Sequence, residues 1–250
     1  MKMTQAAQLT GRKYAADFRA IVAIPCFNEE DYIGDVIRRA SKHIREILVI
    51  DDGSYDETGR EARAAGALVI NHDVNMGYGC GIRSCFEAAK ASNADIMVHL
   101  DGDGQHEPDE IPRVLAPIIN GEADIVIGSR FMSQTTRKTM PLYRKLGILL
   151  ITFLFNFGAK TKVSDTQSGF RAYRKDVLHN ISPTEKGMGV SVEVLIKARE
   201  KGYNIVEVPI ICFYHRDSST LNPAVHGFSV ALTVVKLRFK GLLSRVAGWQ

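Results

Sequence analysis

From Ala20 to Ile127 short apolar runs alternate with stretches of helical periodicity, and no other feature of the 250-residue chain narrows its fold so far. Ile21-Val22-Ala23-Ile24-Pro25, Ile47-Leu48-Val49-Ile50, Leu68-Val69-Ile70, Ile96-Met97-Val98 with Leu100, and Ile125-Val126-Ile127 read as five strands. Nearly unbroken apolar runs of this length belong to strands covered on both faces. Between them fall Ile33, Val36, Ile37, Ala40 and Ile44, then Thr58 to Ala65, then Ile82, Phe86 and Ala89, then Ile111, Val114, Leu115 and Ile118, all at helical spacing. The alternation predicts an α/β fold, a Rossmann-like and mostly parallel sheet with helices on both faces. Residues 1–19 are polar and basic, lack the charged-then-apolar pattern of a leader, and are expected to form a loose arm.

Ligands of open parallel sheets sit outside the carboxyl ends of the strands, so the turns there carry the chemistry. Asn28-Glu29-Glu30 follows the first strand, Asp51-Asp52 ends the second, and Asp101-Gly102-Asp103-Gly104-Gln105 follows the fourth. These clusters are expected to converge on one edge. Asp101, Asp103 and Gln105 on a glycine-flexed turn invite a hard divalent cation, Mg²⁺ or Mn²⁺, which takes oxygen ligands and bridges to substrate phosphates. The competing reading makes Asp and Asn turn formers and Glu29 or Asp31 a helix cap. An EF-hand is excluded, because counting from Asp101 puts His106 where glycine is needed and Pro112 where the bidentate glutamate belongs.

Other classes are removed by what the motifs lack. There is no Gly-x-x-x-x-Gly-Lys-Ser/Thr phosphate loop, and the first strand-to-helix turn has no Gly-x-Gly-x-x-Gly, which disfavours a dinucleotide cofactor. Gly77 and Gly79 remain candidates for close approach of backbone amides to a phosphate or ribose at a helix start. A net charge of +4 is too weak to indicate a nucleic-acid partner. Cys26, Cys80, Cys85 and Cys212 form no Cys-x-x-Cys pair, which fits reduced thiols in a cytoplasmic protein and no zinc site.

Taken in order, the motifs resemble a known family. They are Pro25-x-Phe27-Asn28-Glu29-Glu30, Asp51-Asp52-Gly53-Ser54-x-Asp56-x-Thr58, Asn75-x-Gly77, Asp101-Gly-Asp103-Gly-Gln105-His106, Gly128-Ser129-Arg130, Asp165-x-Gln167-Ser168-Gly169-Phe170-Arg171-x-Tyr173-Arg174 and Glu207-Val208-Pro209. The chain resembles the inverting family 2 glycosyltransferases of the A-type fold over about residues 20–220, and within them the dolichyl or polyprenyl phosphate mannose synthase group. The resemblance implies a transferase domain at 20–222, divided into a nucleotide-binding half (20–130) and an acceptor-binding half (131–222), with an amphipathic segment at 223–250. It implies that Pro25, Phe27, Glu29, Asn75 and Gly77 line the nucleotide-sugar pocket, that Asp52 meets the base, and that Asp101 lies by the ribose and sugar. By the same likeness Asp103 and Gln105 hold the metal, Arg130, Arg171, Arg174 and Ser168 meet the acceptor phosphate, and Arg216 closes over the diphosphate.

The implied reaction moves a hexose from GDP-mannose, UDP-glucose or UDP-N-acetylglucosamine to a polyprenyl phosphate. Mannose synthases carry Arg-x-x-Gly-x-Ser-Lys near the end, whereas Arg216 to Pro223 lacks that glycine and lysine, which keeps UDP-sugars among the donors. A hydroxyl acceptor, or a nucleotide-sugar-binding subunit of a membrane complex, is the alternative. A lipid-linked acceptor implies a peripheral place on the cytoplasmic face of the membrane. Two segments could meet that surface or pack within the protein: Leu146 to Phe157, behind Arg137, Lys138, Arg144 and Lys145, and Gly227 to Trp249. Neither is the roughly 20 apolar residues of a spanning helix. Homo-oligomerisation is left open.

Overall fold

The computed structural model describes residues 18–214, 230–234 and 236. Its strands are β1 (Ala20–Cys26), β2 (Glu46–Asp51), β3 (Leu68–Asn71), β4 (Ile96–His99), β5 (Ile125–Ser129), β6 (Arg171–Arg174) and β7 (Ile205–Pro209). The longer helices are α1 (Glu30–Ala40), α2 (Thr58–Ala64), α3 (Tyr78–Ala91) and α4 (Ile111–Ile119), followed by α5 (Gln134–Thr139), α6 (Leu142–Asn156), α7 (Lys175–Asn180) and α8 (Val190–Glu200). The strands form one sheet in the order β3-β2-β1-β4-β6-β5-β7. Among the described strands only β6 runs antiparallel, between β4 and β5. All five strands and all four helices expected from periodicity are present, and the mixed, mostly parallel sheet is the Rossmann-like α/β architecture expected.

Strand alternation divides the core into two layers. Ile21, Ala23, Leu48, Ile50, Met97 and Ile127 face α3, α6 and α8 through Phe86, Phe155 and Leu195. Val22, Ile24, Val49, Val98 and Val126 face α1 and α4 through Ile33, Ile37, Ile111 and Val114. Ile33 and Ile37 are wholly buried, and each contributes about 1.5–3 kcal/mol by leaving water. The first turn of α1 and the loop before it are thereby held against the carboxyl end of β1.

Arg19, the last residue of the expected arm, is tied to the domain. Arg19 donates its backbone N–H to Asp95 at 3.0 Å and its guanidinium to Glu46 at 2.8 Å, so residue 19 belongs to the sheet edge. Residues 1–17 lie outside the described residues. Helix α6 buries Ile148, Ile151 and Phe155 but exposes Leu142, Leu146, Leu149, Leu150 and Phe153 along its other side, with Phe157 just beyond. Of the 227–249 segment, only 230–234 and 236 are described. They are helical, with Val230 and Val234 buried in the α3 and α8 layer. No described helix is long and apolar enough to cross a membrane.

Candidate active site

The loops after β1 and β2 are stitched to each other. Asn28, in the left-handed region at φ 55°, donates its N–H to Ser54 Oγ at 3.0 Å and accepts from Tyr55 N–H at 2.9 Å. Glu29 N–H donates to Thr58 Oγ1 at 2.7 Å, and Asp56 Oδ1 accepts from Thr58 N–H at 3.0 Å. Asp51 Oδ1 accepts from Ser54 N–H at 3.0 Å. Much of the Asp-Asp-Gly-Ser-x-Asp-x-Thr motif is therefore structural, as turn-forming side chains usually are. Its product is a rim: Pro25 lies across from Ile50 in the sheet, and Phe27 meets the exposed ring of Tyr55 edge-on at 5.7 Å.

Glu29 stands at the start of α1, yet its side chain makes no capping bond. Burial, and after it the charges of Asp103, Asp101 and Asp56, push its carboxyl up to about 8. Glu29, Asp101, Asp103 and Asp56 thus lie near one another, and the turn after β2 contributes Asp56 in place of the expected Asp51-Asp52 pair.

Asp52 has a different task from the expected one. It is buried, and its carboxylate takes His72 Nδ1 at 2.6 Å, Met76 N–H at 3.0 Å and Gly77 N–H at 2.8 Å. Three donors on one buried carboxylate make it the anchor of the 72–77 loop, not an open contact for a base. Asn75 Oδ1 also accepts from Gly77 N–H, at 3.0 Å, so Asn75 shapes the same turn. Gly79 donates its N–H to Lys186 O at 2.8 Å, and a Cβ there would lie 2.0 Å from Glu185 O. The amides of Gly77 and Gly79 are engaged within the protein, and glycine at 79 is required by the crossing backbone. This corrects the expectation of phosphate approach at that helix start.

In the acidic turn after β4, Asp101 Oδ1 accepts from the Tyr78 hydroxyl at 2.9 Å, and Oδ2 lies 3.6 Å from His106 Nδ1. Asp103 accepts from Gln105 N–H at 3.0 Å and from its side-chain amide at 2.5 Å. The other end of that amide, Oε1, accepts from Arg144 at 3.4 Å. Gln105 thus bridges Asp103 to Arg144 and turns its oxygen away from the expected metal position. No group of three His, Cys, Asp or Glu side chains assembles a metal cage among the described residues. Two partly exposed carboxylates do fit a hard cation held by one or two protein oxygens and completed by substrate phosphates and water, the usual manner of Mg²⁺. The repulsion from Asp103 and Asp101, which adds to burial in raising Glu29, is what such a cation would relieve.

The arginines divide. Arg130 forms a two-pronged pair with buried Asp165 at 2.7 and 2.8 Å. Burial opposes its charge, but Asp165 raises its pKa further above the usual arginine value. Asp165 N–H is held in turn by Glu207 at 2.9 Å. Arg171 is 2% exposed and donates to the carbonyls of Ser168, Ser191 and Thr166. Ser168 is buried as well and accepts from Phe170 N–H at 3.3 Å. Arg174 pairs with Asp124 and Asp176, opposite Ile96, at the end of β4 away from Asp101. Arg171, Ser168 and Arg174 are therefore corrected from acceptor contacts to structural residues. Arg216 lies outside the described residues. Arg144 was read in the sequence only as the basic flank of an apolar run; its bond to Gln105 and its place 5.6 Å over the Tyr214 ring bring it to the site.

Residues 21–182 match the family model of glycosyl transferase family 2. The chain is 32% identical to a UDP-N-acetylglucosamine–dolichyl-phosphate N-acetylglucosaminyltransferase of Methanococcus voltae, over 91% of this chain and 99% of that protein. It is 34% identical to a dolichyl-phosphate hexose transferase of Haloferax volcanii, over 90% and 96% of the two chains. Its fold matches that of glucosyl-3-phosphoglycerate synthase from Mycobacterium tuberculosis, solved with Mg²⁺ and UDP, at a TM-score of 0.69 and 24% identity, over 91% and 82% of the chains. With its motifs at the carboxyl ends of a mostly parallel sheet and a family model covering more than half of its length, the chain belongs to glycosyl transferase family 2 and is a glycosyltransferase.

Proposed function

We propose that this glycosyltransferase moves a hexose from a nucleoside diphosphate sugar to a polyprenyl phosphate at the cytoplasmic membrane surface, with Mg²⁺ or Mn²⁺ as cofactor. The observation that carries the reading is the nearness of Glu29 to Asp101 and Asp103 at one end of the sheet, where burial first, and then their charges, push the Glu29 carboxyl up to about 8. Phe27, Tyr55 and Pro25 border that rim on the side where a base would lie. Asp101 and Asp103 would hold the cation. A cation there neutralises the charge that grows on the leaving diphosphate. Among the three donors considered, a UDP-sugar takes precedence, supported by the name of the Methanococcus voltae relative and by UDP in the structural neighbour.

The chain's own residues then have three tasks. Asp103, braced by the backbone N–H and the side-chain NH₂ of Gln105, keeps its oxygens at the rim. Arg144, one glutamine away, supplies positive charge where an acceptor phosphate would approach, a role suited to guanidinium geometry. Arg130 reinforces the same side from within its pair with Asp165. No side chain needs to act as a general base, because a phosphomonoester with a second pKa of about 6 is already largely dianionic at neutral pH. Its oxygen attacks the anomeric carbon directly, and the bond to the diphosphate breaks with inversion.

The apolar side of α6 supports the lipid part of the reading. Leu142, Leu146, Leu149, Leu150 and Phe153 form an exposed stripe on the helix that also carries Arg144 and Lys145. An apolar face with basic neighbours is the composition of an interfacial helix. Incubation of the purified chain with radiolabelled UDP- and GDP-sugars, Mn²⁺ and a short polyprenyl phosphate tests the proposal. An acid-labile lipid phosphosugar is expected. Label found only on saccharide hydroxyls, or nucleotide binding without any transfer, would refute it.

A further inference from the structure

Behind the acidic turn lies a buried imidazole that none of the roles above uses. His99 is the last residue of β4, 3% exposed. Its Nδ1 meets the carbonyl oxygen of Gly169. A carbonyl only accepts, so that nitrogen carries the proton. Its Nε2 has no partner among the described residues. A buried polar atom left unpaired is costly, so an imidazole at this place calls for a reason.

What the imidazole holds is a backbone pressed against Asp101. A Cβ placed on Gly169 would lie 2.2 Å from Asp101 Oδ2, so the glycine seats directly on the carboxylate. On the other side the Tyr78 hydroxyl donates to Asp101 Oδ1 at 2.9 Å, and the Tyr78 ring meets the His99 ring edge-on at 6.4 Å between centroids. Gly169 is on the loop entering β6, Tyr78 opens α3 and His99 closes β4. Three elements from distant parts of the chain therefore converge on one carboxylate.

We propose that His99 and Tyr78 are positioning residues for Asp101: His99 by clamping the Gly169 carbonyl so that the loop confines the carboxylate, and Tyr78 by fixing its rotation. The inference rests on the reading of Asp101 as a cation-holding group and names the residues that set its geometry. Neither side chain touches substrate. Their effect is on how well a cation supports nucleotide binding, since partners behind a metal-holding carboxylate orient it.

The test compares wild type with His99→Leu, His99→Asn and Tyr78→Phe in calorimetric titrations of UDP and of GDP, each with and without Mn²⁺. His99→Leu is expected to lose about tenfold or more of the tightening that Mn²⁺ confers, the range seen for such orienting partners, while metal-free nucleotide affinity stays the same. His99→Asn, whose amide N–H can replace the Nδ1 proton, is expected to restore most of that tightening. Tyr78→Phe is expected to show a partial loss, and it carries the test should His99→Leu not fold. Equal losses with and without Mn²⁺, or an Asn variant as impaired as the Leu variant, would overturn the assignment as merely structural. A crystal structure of the His99→Leu or Tyr78→Phe protein reads the same claim without any ligand. Asp101 turned away from its wild-type position is expected, and an unmoved carboxylate overturns the proposal. Absence of any Mn²⁺ effect in the wild type is a separate failure, that of the metal reading.

Discussion

Glu29 carries the pH dependence of the metal-free site. Its carboxyl titrates near 8 in the folded chain and near the ordinary glutamate value of about 4.3 when unfolded. Between those values the native state binds the extra proton, so the contribution of Glu29 to stability is present at low pH and is lost as pH rises through the window. The melting temperature of the metal-free protein is expected to fall relative to that of Glu29→Gln between about pH 5 and 8, and Mn²⁺ is expected to narrow the gap. Parallel melting curves for the two proteins across that range would contradict the raised Glu29 carboxyl. Two further residues carry stability predictions. Asp165→Ala strands a buried arginine and is expected to cost about 3–5 kcal/mol in denaturant unfolding. Gly79→Ala forces a methyl into the Glu185 carbonyl and is expected to cost about 1–3 kcal/mol. At this scale the sequence was informative about acidity and misleading about two arginines. Arg171 and Arg174 stand in a motif that resemblance links to the acceptor, but charge in a sequence does not show whether a guanidinium faces solvent or a ring of carbonyls. Asp52 was misread for the same reason, since its donors are a histidine and two amides more than 19 residues away in the chain.

Among the elements, α6 is the one on which the proposed lipid contact rests. Its sequence is apolar nearly all round, which left burial and membrane contact equally open. The fold separates them: Ile148, Ile151 and Phe155 pack inward, while the Leu142 to Phe153 stripe remains at the surface. Leu146→Glu with Leu150→Glu is expected to lower sedimentation with anionic vesicles several-fold by removing apolar area from the contact and adding repulsion. UDP affinity should be unchanged, because the stripe lies on the solvent side of the helix. Vesicle binding equal to wild type would remove α6 from the membrane surface. The strands β6 and β7 escaped periodicity altogether. β6 is four residues with arginine at both ends, and β7 alternates so weakly that every residue in it is half-buried. Their place in the sheet depends on partners far away in sequence, which local patterning cannot supply.

On the scale of the whole molecule, alternation of strand and helix is what made the site legible. Once the strands are parallel and neighbouring, the turns after β1, β2 and β4 must share an edge, and acidic residues in those turns must meet. The two strands that follow α6 complete the sheet and bring Asp165, Glu207 and Arg130 together from behind. The central claim is that the gathered carboxylates hold a cation which takes up the charge of the departing nucleotide. The most direct measurement is hexose transfer to polyprenyl phosphate by wild type and by Asp103→Asn over a range of Mn²⁺ concentrations. Transfer that rises with Mn²⁺ in the wild type and falls by about a hundredfold or more in Asp103→Asn at every concentration is expected, since removing one such electrostatic contact costs on that order. Full turnover by Asp103→Asn in Mn²⁺ would contradict the claim.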